Sequence, residues 1–446
     1  MSDRKLPVRP NLDQLKHQAK DLLREVRSCD PSALAEFKKF HPKAEQMIRP
    51  LLHPNDADKM SANRTPDASA PRLADAQLVL ARSYGAPNWP RLVQACKLID
   101  AIWRDDVDEV RELVLRHPNL IHEPATIRKS NWGPPLSYAA NLGRDEIIKL
   151  LHKFGATDLE HALDRAMLQS KIGTAAMLYE LLGSPPPPEG GLDGSAYTLS
   201  VPGTAFALEI GVPVCDQDGK RLAPVDVVLE TDSRNPTAKH RILEMYVEHG
   251  LRLPDTPVMA LHRGRIDLLA AQLRRDPALL TRTFTHEEIY PPELGCHDEI
   301  QATQGTPLKG TTLLHMCADY DEIEIAQWLL EQGMDVDAKA TVDADGFGGH
   351  TALFATVVSQ PNFWMNYQNK PQVAPFTQLL LDHGADPNAV ASLRKQLHPG
   401  YGPEMDVDTT YEYRDVTPLA WGRRFHAKVF VSEPALGLIV ERGGHE

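Results

Sequence analysis

One segment of this chain recurs, and the recurrence limits the fold more than any other feature. Gly310-Thr-Thr-Leu-Leu-His315-Met-Cys-Ala318 opens it, Ile323 to Leu330 follows at helical spacing, and Gly333 leads into Asp335-Val-Asp337. A second copy runs from Gly349-His-Thr351-Ala-Leu-Phe354 to Gln378-Leu-Leu-Leu-Asp-His-Gly384. Others begin at Gly133-Pro-Pro-Leu136 and at Val416-Thr-Pro-Leu-Ala420. Each unit reads as two short helices. Thr or Pro at the start suits the free N–H groups of a first turn, and Gly after the second helix suits a left-handed cap. A unit this small cannot bury its apolar face alone, so neighbours must stack.

The pattern resembles the ankyrin repeat, over roughly residues 98–446 and most closely from 310 to 446. Helix starts fall at 134, 223, 255, 312, 351 and 417. The steps from 223 to 255 and from 312 to 351 lie near the ankyrin period of about 33, and the longer steps imply insertions. Degenerate copies occupy Ala223–Gly250 and Asp255–Leu269, and helical pairs without the opening motif are expected at Leu98–His117 and Glu160–Leu182. The resemblance implies an all-α solenoid of about eight irregular repeats, with His315 tying neighbouring units through backbone hydrogen bonds. It also implies a protein-binding scaffold or adaptor that uses its concave face and fingertip loops.

Residues 1–97 differ. Leu12–Val26 is an amphipathic helix with apolar residues at 12, 15, 19, 22, 23 and 26, further helices are expected at Pro31–Phe40 and Leu73–Tyr84, and 41–71 is a loop or short helix. The stretch resembles helical regions that precede bacterial ankyrin arrays, which implies a cap over the first repeat of the 98–446 array. Two insertions are expected. Near 184–221, a proline run leads into short β-branched segments at Ala196–Val201 and Gly211–Gly219, read as an extended hairpin finger. Near 281–309, Thr281–Lys309 reads as a long polar loop.

Charge narrows the partners. Lys plus Arg number 48 against 61 Asp plus Glu, a net −13, which argues against nucleic acid and anionic membrane surfaces. The five cysteines contain no Cys-Xaa-Xaa-Cys pair, which suits reduced thiols and a cytoplasmic location. No apolar run reaches the length of a membrane span, and the N-terminus lacks a leader's apolar stretch.

The concave positions map to Tyr138, Asn141, Glu230, His262, Arg263, Met316, Asp319, Tyr320, Ser359, Trp421 and Arg424, with fingertip candidates Trp132, Phe347, His350, Tyr411 and Tyr413. Tyr, Trp and Arg dominate interface energetics, so a protein partner is expected there. A second reading makes the protein an enzyme or a small-molecule or metal binder. Its polar site would form from His286-Glu287-Glu288 and Cys296-His297-Asp298-Glu299 in the 281–309 loop, Asp343, Asp345 and His350 in the 341–350 loop, and the 415–426 segment. No spacing matches an established metal or catalytic motif, so no cofactor, metal or catalytic residue is assigned. Arg423 and Arg424 could bind an anion or form a salt bridge to Asp343 and Asp345, the second being favoured.

Overall fold

The structure, a computed structural model, describes residues 4–52, 70–187, 190–231, 234–296, 306–358, 373–397, 409–426 and 428–446. Two compact units form, Met1–Pro185 and Pro186–Glu446, divided inside the proline run.

The first unit opens with α1 (Leu12–Arg27), α2 (Pro31–Phe40), α3 (Ala44–Leu52) and α4 (Leu73–Ser83). The carboxamide oxygen of Asn11 accepts from the Asp13 and Gln14 amides at 2.9 and 3.0 Å, satisfying two free donors of α1. The apolar stripe of α1 buries Leu15, Ala19, Leu22 and Val26, as its spacing predicts. Leu22 and Val26 join Phe37, Ile48 and Val79, while Leu15 and Ala19 join Leu80, Leu92 and Cys96. Leu92 and Cys96 belong to α5 (Trp89–Arg104), which pairs with α6 (Val107–Arg116). Two further pairs follow, α7 (Pro135–Leu142) with α8 (Asp145–Lys153) and α9 (Leu159–Leu168) with α10 (Ile172–Leu181). First helix packs on first helix (α7 on α9) and second on second (α6 on α8), which is how a solenoid propagates.

The second unit continues with α11 (Asp193–Tyr197) and α12 (Val201–Glu209), α13 (Val225–Glu230) and α14 (Pro236–Glu248), and α15 (Pro257–His262) and α16 (Ile266–Arg275). After the single turn α17 (His286–Ile289) come α18 (Leu313–Tyr320) and α19 (Ile323–Glu331), then α20 (Ala352–Val357) and α21 (Pro375–Asp382). An antiparallel ribbon, β1 (Ala391–Leu397) with β2 (Thr409–Val416), precedes α22 (Pro418–Arg424) and α23 (Glu433–Glu441). Again α18 packs on α20, α20 on α22 and α21 on α23. Thr256 accepts from the Met259 amide at 3.1 Å, as the Thr-Pro start predicts. Thr256→Ala is expected to lower stability by about 1 kcal/mol, read as an earlier urea midpoint at unchanged slope.

Three expectations change. The finger expected at Ala196–Val201 is a helix pair, because Ser200 caps α12 (3.0 Å to the Gly203 amide) with Pro202 in its first turn. The pair α11–α12 stacks on α13–α14 as a repeat does. Of the hairpin only a Cys215–Arg221 bridge remains, around a turn where the Asp216 carboxylate accepts from the Asp218 and Lys220 amides. The 281–309 loop holds α17, capped reciprocally by Thr285 and Glu288, and Phe284 bridges to Thr311. His297, Asp298 and Glu299 lie outside the described residues, as does Ser359. The ribbon at 391–416 was not anticipated.

Candidate interaction site

Two polar constellations in the second unit stand out: a buried ionic hub and a charged finger. The hub gathers at turns between paired helices. Arg234 lies between α13 and α14, Lys239 and His240 begin α14, His262 ends α15, and Asp319 and Tyr320 end α18 just before Glu322, the N-cap of α19. The Arg234 guanidinium donates to the Asp319 carboxylate at 3.0 Å and to its carbonyl at 2.7 Å. Lys239 Nζ lies 3.0 Å from Glu322 Oε1, and His240 Nε2 lies 2.9 Å from Glu322 Oε2. Lys239 also sits 3.2 Å from His262 Nδ1. Both cations lie over the Tyr320 ring, Lys239 at 4.3 Å and Arg234 at 4.8 Å, and the Tyr320 hydroxyl meets that of Tyr290 at 2.7 Å.

Burial pulls Lys239 down against the opposing pull of Glu322, and holds His262 far below the ordinary imidazole range with the help of the Lys239 charge. A neutral His262 accepts from Lys239 at Nδ1 and carries its hydrogen on Nε2. Two cations balance two carboxylates. Such a group adds little net stability over an apolar core, but breaking one partner leaves an uncompensated buried charge.

The finger is the turn 341–350 laid against the ribbon. Asp343 Oδ1 accepts from the Asp345 and Phe347 amides, both at 2.9 Å. Gly348 has φ +124, and a Cβ there would stand 2.0 Å from the Thr341 carbonyl oxygen, so only glycine fits. Gly348 exchanges backbone hydrogen bonds with Ser392 at 2.7 and 3.2 Å, joining the turn to β1. Phe347 is then clamped between two guanidiniums, Arg394 at 4.2 Å and Arg414 at 4.1 Å. Arg394 also reaches Asp345 at 3.0 Å and Asp343 at 3.7 Å. Exposed pairs of this kind contribute about 0–1 kcal/mol, so the sheet and the stacked rings hold the geometry.

The ribbon's other face carries Leu393, the fully buried Lys395, Tyr411 and Tyr413. Tyr413 meets Trp421 edge-on at 4.8 Å, and Tyr411 stacks on His426 at 3.8 Å. The His426 amide donates to the Tyr413 hydroxyl at 3.0 Å, and that hydroxyl lies 2.7 Å from His426 Nδ1. Burial, with the nearby Lys395, brings His426 down to about 4.

The mapped concave positions are mostly inside the protein. Tyr138, Asn141, His262, Met316, Asp319, Tyr320, His350 and Trp421 are buried, and so are the fingertip candidates Phe347, under Arg394 and Arg414, and Tyr413, against Trp421. Each expected exposure is corrected by a covering or tying contact that an ideal repeat would lack. Tyr138 hydrogen-bonds Trp103 and the Val8 carbonyl, Asn141 bonds Arg165 and Ser137, and the ribbon covers Trp421. Met316 lies in the core of α18, and the hub encloses His262, Asp319 and Tyr320. Trp132 is buried against Tyr138 at 4.9 Å, Arg263 binds Glu244 at 2.7 Å, and Glu230 is half-buried. Asp343, Asp345, Arg423 and Arg424 are exposed. The expected bridge from the Arg423–Arg424 pair to those aspartates is corrected: Arg423 binds Glu446 at 2.6 Å, and Arg394 takes the aspartates because β1 brings it alongside the turn. Sequence reasoning missed Arg234, Lys239, Glu322, Arg394 and Arg414.

The polar groups of the second reading are used locally. Glu288 caps α17 and binds Arg282, and His286 tilts against Tyr290. Among the described residues no group of three His, Cys, Asp or Glu could hold a metal ion, and no helix is long and apolar enough to cross a membrane. In the first unit Ser137 meets Asp158 and His161, with His161 Nδ1 2.8 Å from the hydroxyl. That hydroxyl is fully buried, and Asp158 also accepts the Ser137 amide at 3.1 Å, so the trio braces a turn and presents no nucleophile.

His315 does what the Thr-Leu-Leu-His start implies. Its Nε2 donates to the His350 carbonyl of the next repeat at 2.9 Å, while Nδ1 faces the Thr312 hydroxyl at 3.0 Å. A family model of the ankyrin repeat matches residues 309–341. No curated protein matches the chain. Among solved structures the chain is similar to the crystal structure of human ASB11 ankyrin repeat domain, at 15% identity, covering 70% of this chain and 99% of that one, with a TM-score of 0.24. A score that low leaves the assignment to the sequence match and to the helix pairs themselves. Since the match falls on the stretch where His315 fastens one helix pair to the next, this is an ankyrin-repeat protein.

Proposed function

We propose that the protein is a protein-binding scaffold that docks its partner on the charged finger. Ankyrin repeats generally mediate protein–protein interaction, and the array here supplies a stiff support for one. The observation that carries the reading is the Arg394–Phe347–Arg414 clamp: two guanidiniums held in place over the buried Phe347 ring, ringed by the exposed carboxylates of Asp343, Asp345 and Glu412. Rigid arginines cost little conformational entropy on binding and can form bidentate bonds. Residues 1–97 act as the cap of the array, a role supported by the cluster that Leu15, Ala19 and Leu80 share with Leu92 and Cys96. A cytoplasmic setting fits the five free thiols.

Affinity capture with the full chain tests the docking face. Arg394→Ala with Arg414→Ala is expected to weaken the captured partner about thirtyfold, the effect of losing one hot spot worth roughly 2 kcal/mol. Arg116→Ala with Lys149→Ala, on exposed helix faces of the first unit, is expected to leave it unchanged. A partner that survives the finger variant at full affinity would place the docking face elsewhere.

A further inference from the structure

In a repeat array each unit ordinarily touches only its neighbours, and stability is a sum of nearest-neighbour terms. The hub breaks that rule. Arg234, Lys239 and His240 belong to the α13–α14 repeat, whereas Asp319 and Glu322 belong to the α18–α19 repeat, and the α15–α16 repeat lies between them in the chain. The ion pairs Arg234–Asp319, Lys239–Glu322 and His240–Glu322 therefore pass directly from one repeat to the next but one. The intervening turn is shaped to let them through. Gly264, with φ +66, sits where a Cβ would come within 2.3 Å of His240 Nδ1, so no larger residue could occupy that turn while His240 holds Glu322. His262 of the same intervening repeat contributes its ring to the hub, edge-on to Tyr320 at 4.7 Å and within 3.2 Å of Lys239.

We infer that this hub is a latch that makes the three repeats from α13 to α19 one cooperative unit, opening together and not one at a time. Opening the α18–α19 repeat breaks all three ion pairs at once and leaves Lys239 and Arg234 without their carboxylates or the Tyr320 ring. Local opening of one repeat then carries a penalty that only opening of all three relieves. A binding event that orders or loosens any of the three would be felt across the whole block, which gives a scaffold a stiff segment at a defined place.

Hydrogen exchange of the full chain, followed helix by helix, tests this. Leu329→Ala weakens the α18–α19 repeat at a fully buried position outside the hub. In the otherwise unchanged chain, exchange in α14 and α19 is expected to accelerate by the same factor. Lys239→Met with Glu322→Leu removes two of the three ion pairs, leaving Arg234–Asp319, and keeps the buried volume; in that background the same Leu329→Ala change is expected to speed α19 at least about tenfold more than α14. Should the double replacement fail to fold, Glu322→Gln supplies the second background, and Ile325→Val replaces Leu329→Ala if that change is too severe. Equal acceleration of α14 and α19 in both backgrounds would show that coupling runs through the intervening repeat and overturn the latch. So would acceleration confined to α19 in the otherwise unchanged chain.

Discussion

Trp421→Ala is expected to destabilise the folded chain by about 3–5 kcal/mol, the range for deleting a large aromatic from a packed core. Trp421 is fully buried, with Tyr413 at 4.8 Å and Phe425 at 4.9 Å, both edge-on. Its indole nitrogen has no hydrogen-bond partner, so what it contributes is apolar area and ring contacts. The cavity left by alanine cannot collapse easily, because α22 on one side and the ribbon on the other are both held by backbone hydrogen bonds. Gly422, next to it, already lies so close to Val357 that a Cβ would stand 2.4 Å from Val357 Cγ1. Trp421→Phe should recover more than half of the loss. Thermal melts of the three proteins check this, and an unchanged midpoint for Trp421→Ala would mean that the indole is not core. Arg424, at the end of the same helix but exposed, should tolerate alanine within about 0.5 kcal/mol.

What was legible in the sequence, and what was not, follows from the range of the signals. The helix pairs are local events: Thr at the cap, Ala-Ala where helices meet and Gly at the turn each act within a few residues, so the starts at 312, 351 and 417 could be read directly, and the one read at 255 falls one residue before its cap, Thr256. The hub is not local. Its partners are 82 to 85 residues apart, and nothing in the polar run Asp319-Tyr-Asp-Glu322 separates a buried ion pair from a solvated turn. The mapping of Tyr138, Asp319 and Trp421 to an open face assumed ideal repeats. An ideal array has no segment to lie over those positions, but this chain supplies Val8, Arg234 and the ribbon. The ribbon itself did leave a signal. Thr410-Tyr-Glu-Tyr-Arg414 alternates with the two-residue period of a strand, Tyr inward and charge outward, and the register Leu393–Tyr413 and Arg394–Glu412 follows that alternation.

Mild acid is expected to unfold the second unit, and here the sign can be worked out. His315 and His350 are fully buried, and burial holds them down at about 4 and about 3 against an ordinary 6.5. Geometry explains why neither takes a proton. His315 Nδ1 is the acceptor facing Thr312, so a hydrogen there would meet the donor of the Thr312 amide, and His350 Nδ1 has no partner at all. Their rings lie 5.4 Å apart, so the first charge also opposes the second. Unfolded, both imidazoles would take up protons below pH 6.5. Stability is therefore fully present above that value and is lost as pH falls from about 6.5 toward 4 and 3. At about 1.4 kcal/mol for each pH unit, the coupled pair accounts for roughly 5 kcal/mol or more, and His262 acts in the same direction. Asp321 works the other way, its carboxyl pushed up to about 6 by desolvation and the Glu322 charge, but it stands at an exposed turn where solvent screens the effect. The imidazoles outweigh it. Thermal midpoints measured between pH 7.5 and 4 should fall steeply below about 6, and His350→Gln, if it folds, should flatten the fall. A midpoint that holds level from pH 7 to 4.5 would mean that one of these rings is reached by water.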